Sequence, residues 1–204
     1  MGFYRKLVIP RLTDLAMRNR ELGPYRERVI GAAEGRVLEI GVGSGLNLAR
    51  YPPAVHELLA LEPDPSLITM ARNRPSHGNR PVRFLEASAE QIPLENGSVD
   101  TVISTWTMCS IPKIGRALEE ARRILRPGGR LLFVEHGLSP EPGVRKWQNR
   151  LDPLWLRVSG GCHLNRPIES LITAAGFGLD RLQTGYMRGP KLMTFMYEGI
   201  ARPL

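Results

Sequence analysis

The sequence predicts a doubly wound α/β fold, and three features carry that prediction. The apolar run Val37, Leu38 and Ile40 breaks into three glycines at alternate positions, Gly41, Gly43 and Gly45. A strand followed by a glycine-rich turn brings backbone close to an adenosine-containing ligand, because glycine tolerates unusual φ and carries no Cβ. The next apolar run, 56–61, ends in Glu62, Pro63 and Asp64, with Glu62 21 residues beyond Gly41. That position is the tip of the neighbouring strand, where a carboxylate accepts hydrogen bonds from ribose hydroxyls. Short apolar runs then alternate with stretches of helical periodicity as far as His136, the pattern of successive βαβ units.

Taken in order, residues 3–22 place Tyr4, Val8, Leu12, Leu15, Ala16 and Leu22 at helical spacing, with Arg5, Lys6, Arg11, Arg18 and Arg20 between them. Pro10 delays or kinks that helix. A basic amphipathic helix has three readings: a lid, a segment lying on a membrane surface, or ordinary packing. A second helix covers 24–33 and ends at Gly35. The segment 46–50 is helix-like, 66–73 is a helix, and 74–81 is rich in breakers. Strands follow at 82–86 and 99–104, the latter after the turn signal Asn96-Gly97. Residues 105–110 then lie at the ligand end of the fourth strand, so Thr105 and Trp106 face a substrate, with plain core as the other reading of Trp106. Ile114, Ala117, Leu118, Ala121, Ile124 and Leu125 form an unbroken stripe on a helix that starts at Pro112 and stops before Pro127-Gly128-Gly129. The fifth strand, 130–136, carries Glu135 and His136 at its ligand end. Beyond it come a helix over 145–158 broken by Pro153, a loop at 160–167, a helix over 167–175, and two closing antiparallel strands near 178–185 and 191–200.

Length and composition bound the rest. The 204 residues, 42% hydrophobic, suit one domain. No apolar run approaches the ~20 residues that span a bilayer, and the N-terminus lacks the apolar stretch of a cleaved signal peptide. Two cysteines, Cys109 and Cys162, give neither a disulfide framework nor zinc-ligand spacing, so no metal and a reducing cytoplasm are expected. A net charge of +8 favours anionic partners, or else an arginine-rich solvated surface.

The glycine turn does not match a dinucleotide fingerprint, since Leu46 stands where its third glycine belongs and Gly45 comes one residue early. Glu39, two residues before Gly41, would repel a pyrophosphate and suits a ligand bearing an ammonium and a sulfonium. The pattern Glu39-x-Gly41-x-Gly43-x-Gly45 resembles motif I of the class I S-adenosylmethionine (SAM)-dependent methyltransferases, and Leu125 to Leu131 resembles another segment of that family, of the type-11 domain kind. The resemblance implies a Rossmann-like seven-stranded sheet, mostly parallel with an antiparallel last strand and helices on both faces. It implies SAM as cofactor, with Glu39, Gly41, Gly43 and Gly45 around its methionine part and Glu62 and Pro63 at the ribose. Ala89 and Glu90 would lie along the adenine edge, where Glu90 or a neighbouring backbone amide faces the exocyclic amine, and Thr105 would touch the cofactor at the end of the fourth strand, where substrate and methyl group meet. Cys109-Ser110, Glu135-His136, 151–155 and 161–164 are similar to a narrower branch, the thiol S-methyltransferases. The chain departs from that branch in having no N-terminal hydrophobic membrane segment, and in Val42 where many members carry cysteine.

One domain is therefore expected, with a lid region at 1–34, a SAM-binding core at 35–136 and a substrate-side segment at 137–204. The expected reaction is methyl transfer to a small-molecule acceptor, a thiol first of all. Trp106, Met108, Cys109, Trp147 and Trp155 are the expected substrate contacts, and His136 and His163 the candidate bases or structural histidines. The N-terminal helix would serve the acceptor, so its removal would leave SAM affinity intact. Two rivals are a phosphatidylethanolamine N-methyltransferase, which the basic N-terminal helix favours through peripheral membrane contact, and a SAM-binding protein without turnover. Nucleic acid is not an expected partner, because the Asn-Pro-Pro-Tyr type of base-clamping motif is absent.

Overall fold

The computed structural model describes residues 8–75 and 80–204. Seven strands form one sheet: β1 (Gly35–Ile40), β2 (Val55–Leu61), β3 (Val82–Leu85), β4 (Val99–Thr105), β5 (Leu125–His136), β6 (Phe177–Tyr186) and β7 (Phe195–Pro203). Their order across the sheet is β3-β2-β1-β4-β5-β7-β6. The first five run parallel, and β7 is antiparallel to both β5 and β6. The order reverses at β1, whose neighbours are β2 and β4, and a crevice at such a switch point is where doubly wound sheets bind ligands.

The strands alternate apolar side chains between two cores. Leu38, Leu59, Val102, Leu131 and Phe133 face a core shared with α4 (Ile114–Ile124) and α6 (Ile168–Ala174). Val37, Leu58, Ala60, Ile103, Leu132 and Val134 face the opposite core, covered by Val29 and Ile30 of α2 (Gly23–Gly31) and Ala71 of α3 (Pro65–Arg72). Strands buried on both faces read as continuous apolar runs, which is why β1, β2 and β4 were legible. The two-core arrangement places helices on both faces as expected.

Several elements differ from the sequence expectation, among them β5, which starts at Leu125 rather than at 130. Residues 46–50 form no α-helix but two successive turns, with Leu48 N donating to Gly45 O and Arg50 N to Asn47 O; Pro52 and Pro53 leave no room to propagate a helix. The helix α1 (Ile9–Met17) buries Pro10 and Asp14 and exposes Leu12 and Leu15. Ion pairs of Asp14 with Arg18 and Arg74 turn the polar edge inward, against the apolar spacing. The start of the predicted helix, with Tyr4, Arg5 and Lys6, lies outside the described residues. Pro153 does not break α5 (Pro142–Val158). Gln148 and Asp152, buried one turn apart on the same face, tie the helix down on the N-terminal side of the proline. Gln148 Nε2 donates to the carbonyls of Gly137, Leu164 and Leu192, and its Oε1 accepts from Ser139 N. Finally β7 starts four residues late, because Pro190 and Met193 close a turn before it.

Gln148→Leu keeps the volume but leaves that amide and those three carbonyls buried without the partner. Each buried polar group left unsatisfied costs about 1–3 kcal/mol, so the variant should lose at least about 3 kcal/mol in urea unfolding.

Candidate active site

β1 delivers the chain into the glycine turn at the switch point. Gly41, Gly43 and Gly45 all have positive φ, at 71°, 56° and 83°. They differ in what surrounds them. A Cβ on Gly41 would lie 2.3 Å from Thr107 Cγ2, and one on Gly45 would lie 2.9 Å from Leu48 Cδ1. Those two glycines let the turn pack against Thr107, just past β4, and against α3. A Cβ on Gly43 would meet nothing nearer than Gly41 O at 4.0 Å, so Gly43 alone borders open space.

Glu62 stands beside it. Its Oε2 accepts from Gly43 N at 3.0 Å, and its Oε1 accepts from Asp64 N at 3.0 Å. Burial raises its pKa to about 7, against the pull of those two backbone donors. Pro63 is exposed, and Asp64 caps α3 by accepting from Ser66 N and Leu67 N.

Glu39 is not at the surface of this crevice. It is fully buried, accepting from Asn47 Nδ2 and from Tyr51 OH at 2.8 Å. Burial raises its pKa, while Asn47, Tyr51 and the nearby Arg26 oppose that rise. Asn47 Nδ2 also donates to Thr105 Oγ1 at 3.1 Å, and Asn47 Oδ1 accepts from Arg26. Glu39 therefore orients Asn47, Thr105 and Arg26 rather than facing a ligand itself. Burial lowers the Arg26 pKa to about 10, so it keeps its charge at neutral pH, and its guanidinium lies 4.9 Å from the centre of the Trp106 ring. Arg26 and Asn47 were missed in the sequence; a buried acid just before a glycine turn was the signal that it needed partners.

The N-terminal helix touches this machinery. Asp14 accepts from Ser44 Oγ and pairs with Arg74, which also donates to Ser44 O. Arg26 donates to Met17 O. Thus α1 braces the glycine turn, contrary to the expectation that it serves the acceptor alone. On the far side Ala89 is buried, and Glu90 Oε1 accepts from Lys113 N, the residue before α4. Glu120 and Arg123 hold the next residues, through Ile92 N, Ile92 O and Leu94 O.

At the end of β4 the backbone turns through Trp106, which has φ 50°, the one non-glycine residue with positive φ among those described. Such strain costs about 1–3 kcal/mol and persists only where the surroundings impose it. Here Trp106 N donates to Val134 O, and the buried Glu135 accepts from Ser104 Oγ and Thr107 N. The expected substrate contacts separate. Trp106 is half-buried, edge-on to Tyr25. Met108 belongs to the main core, a correction to its expected place in a pocket. Trp147 lies on the solvent side of α5 under Arg150, a second correction. Cys109 is buried next to His136 and Cys162. His136 Nε2 lies 3.1 Å from Cys162 Sγ, and the half-buried Trp155 borders the same sulfur. The neighbouring Cys162 and burial push the Cys109 thiol up, whereas Cys109 pulls the Cys162 thiol down. His163 N donates to Cys109 O, and His163 Nδ1 lies 2.9 Å from Asp152 Oδ2, whose Oδ1 accepts from Leu164 N.

Residues 38–133 match the family model described as a methyltransferase domain. The chain is similar to a thiol S-methyltransferase of Homo sapiens, 33% identical over 179 residues that cover 83% of this chain and 71% of that one. A thiol S-methyltransferase of Rattus norvegicus is 34% identical over 157 residues, 74% of this chain and 63% of the relative. The chain belongs to the SAM-dependent methyltransferases. It spans about two thirds of the length of these relatives, from 63% to 71%. A SAM-dependent methyltransferase of Thermotoga maritima shares the fold with TM-score 0.69 at 22% identity, over 97% of this chain and 98% of that one.

The crevice of this methyltransferase fits SAM on its own evidence: a cradle at Gly43 that a side chain would fill, and a carboxylate at Glu62. Gly43→Val should stay folded, within the ~1–2 kcal/mol that a left-handed residue costs, and lose SAM binding. Gly41→Ala should instead lower the melting temperature, because Thr107 occupies the space. Circular dichroism melts with SAM titration calorimetry distinguish the two. Glu62 supplies a pH dependence. Were the ionised carboxylate to accept from the ribose hydroxyls, binding below its pKa of about 7 would expel a proton. SAM affinity should rise about fivefold to tenfold from about pH 6 to about pH 8 and then level off, a rise that Glu62→Gln abolishes.

Proposed function

We propose that this methyltransferase acts on a small thiol. The observation that carries the reading is convergence. Four stretches far apart in sequence, at Cys109, at Glu135-His136, at Asp152 and Trp155, and at Cys162-His163, meet at the ligand end of β4 and β5. They are the stretches that resemble the thiol S-methyltransferase branch, and the relatives named above support the same acceptor.

SAM, when bound, supplies a methyl carbon already activated by its sulfonium. The chain's task is to place an acceptor in line and keep water out. Gly43 and Glu62 hold the cofactor, and the strained turn at Trp106 sets the wall between cofactor and acceptor. A thiol has a pKa near ~8.5, so modest base assistance suffices. His163 is the better base of the two histidines. Asp152 fixes its Nδ1, which leaves Nε2 to take a proton. His136 is buried and committed to Cys162. In a thiol panel, Asp152→Asn and His163→Ala should each reduce turnover about tenfold to a hundredfold at neutral pH and recover part of it as pH rises through the thiol pKa. Turnover unchanged in both variants would remove His163 from the mechanism.

A lipid-borne acceptor is favoured by one observation. Leu12 and Leu15 on α1 and Leu154 and Val158 on α5 are exposed, and a Cβ on Gly160, just past α5, would lie 3.1 Å from Ile9 of α1. Arg11, Arg18 and Arg157 flank these apolar residues, a combination suited to the surface of an anionic bilayer. No helix of the described residues is long and apolar enough to cross a membrane. Methylation of phosphatidylethanolamine vesicles without activity on any thiol would establish that reading instead. Deleting residues 1–22 removes the Asp14 brace and should weaken SAM binding about tenfold or more in calorimetry.

A further inference from the structure

We infer that Cys109, His136 and Cys162 form a binding site for a soft divalent metal, zinc first of all, with a fourth position open to a thiol. The site rests on geometry; the thiol at its fourth position rests on the acceptor reading above.

The Sγ atoms of the two cysteines and a ring nitrogen of His136 all lie within 4.8 Å of one another. A tetrahedral zinc, with Zn–S about 2.3 Å and Zn–N about 2.0–2.1 Å, holds its ligand atoms roughly 3.5–3.8 Å apart. Side-chain adjustments of under about an ångström therefore close the set around an ion. Two thiolates and an imidazole exclude calcium and magnesium, which take oxygen ligands, and suit zinc or another soft ion. Three protein ligands rather than four is the composition of catalytic zinc sites, which keep a position for water or substrate.

A second observation points the same way. Among the described residues, four buried side-chain polar atoms have no hydrogen-bond partner, and one of them is Nδ1 of the ligand residue His136. Native proteins leave few such atoms, and a missing ion with its ligand shell is a recognised cause. His136 is more than nine-tenths buried.

The cluster also lies close to the cofactor crevice. Cys109 Sγ is 3.6 Å from Trp106 O, and Thr107, between those residues, packs against Gly41 of the glycine turn. Cys162 is the least buried of the three ligands, so the open side faces the 159–163 loop and Trp155. An acceptor thiol would replace water at the fourth position. Its S–H bond breaks, a metal–sulfur bond forms, and the proton leaves to solvent or to His163. Coordination keeps the sulfur deprotonated near neutral pH while leaving it a lone pair for attack.

The test uses the full chain, reduced and stripped of metal with a chelator, and titrated with Co2+ alone. One equivalent should bind with the intense visible bands of a tetrahedral site and a thiolate-to-cobalt charge-transfer band, and Zn2+ should displace it. Cys109→Ser and Cys162→Ser should each weaken binding at least about tenfold. 2-Mercaptoethanol added to the cobalt protein should intensify the charge-transfer band. Absence of that band in the wild-type titration overturns the site, whatever the variants do. A spectrum indifferent to added thiol overturns the open position. Thiol methylation by a protein that binds no Co2+ sinks the metal site and leaves the acceptor reading standing. Cobalt binding with no thiol methylated does the reverse.

Discussion

The buried carboxylate of Glu39 is the constraint on which the cofactor crevice depends. A charge or a neutral acid at the end of β1 is costly unless every oxygen is satisfied. Asn47 and Tyr51 satisfy both oxygens, and Asn47 then reaches Thr105 on β4 and Arg26 on α2. One side chain thereby ties together β1, the glycine turn, the neighbouring strand and the N-terminal helices. The replacement of a regular helix by turns at 46–50 follows from the same demand, because Asn47 must point inward while Pro52 and Pro53 end the segment.

Polar side chains anchor the remaining rim in the same manner. Asp14 braces the turn from outside, Glu120 and Arg123 hold the segment after Glu90, and Gln148 and Asp152 hold the two loops that follow β5 and α5. Asp14, Glu120, Gln148 and Asp152 are buried, and Glu120, Arg123, Gln148 and Asp152 each serve backbone amides or carbonyls of another segment. Loops that carry chemistry need such support, since a displacement of about an ångström costs rate.

The two halves of the site were unequally legible. Gly41, Gly43, Gly45 and Glu62 stand at fixed offsets along strand tips, so local pattern located them. Their individual jobs were not local: Gly43 borders open space, whereas Gly41 and Gly45 make room for Thr107 and Leu48. Glu90 was expected along the adenine edge, and its carboxylate accepts from Lys113 N at the start of α4. On the acceptor side, Trp147 and Met108 show the limit of residue type as a guide. An aromatic on an amphipathic helix faces solvent or site according to the helix's rotation, and polar anchors set that rotation here.

The sequence by itself determined the doubly wound sheet and its ligand-side glycine turn, because periodicity, glycine spacing and strand-tip acids act over a few residues, and the motifs' family resemblance implied the cofactor. Only the tertiary structure decided which groups share the acceptor side. Cys109 and Cys162 lack ligand spacing along the chain and meet His136 only when β4, β5 and the loop after α5 converge. The same holds for α1, whose apolar spacing left lid, membrane surface and packing open, and where the contacts of Asp14 with Ser44 and Arg74 leave Leu12 and Leu15 exposed. Long-range polar pairing outweighs local hydrophobic pattern where a short helix has two comparable faces, and its partners are invisible until the chain is folded.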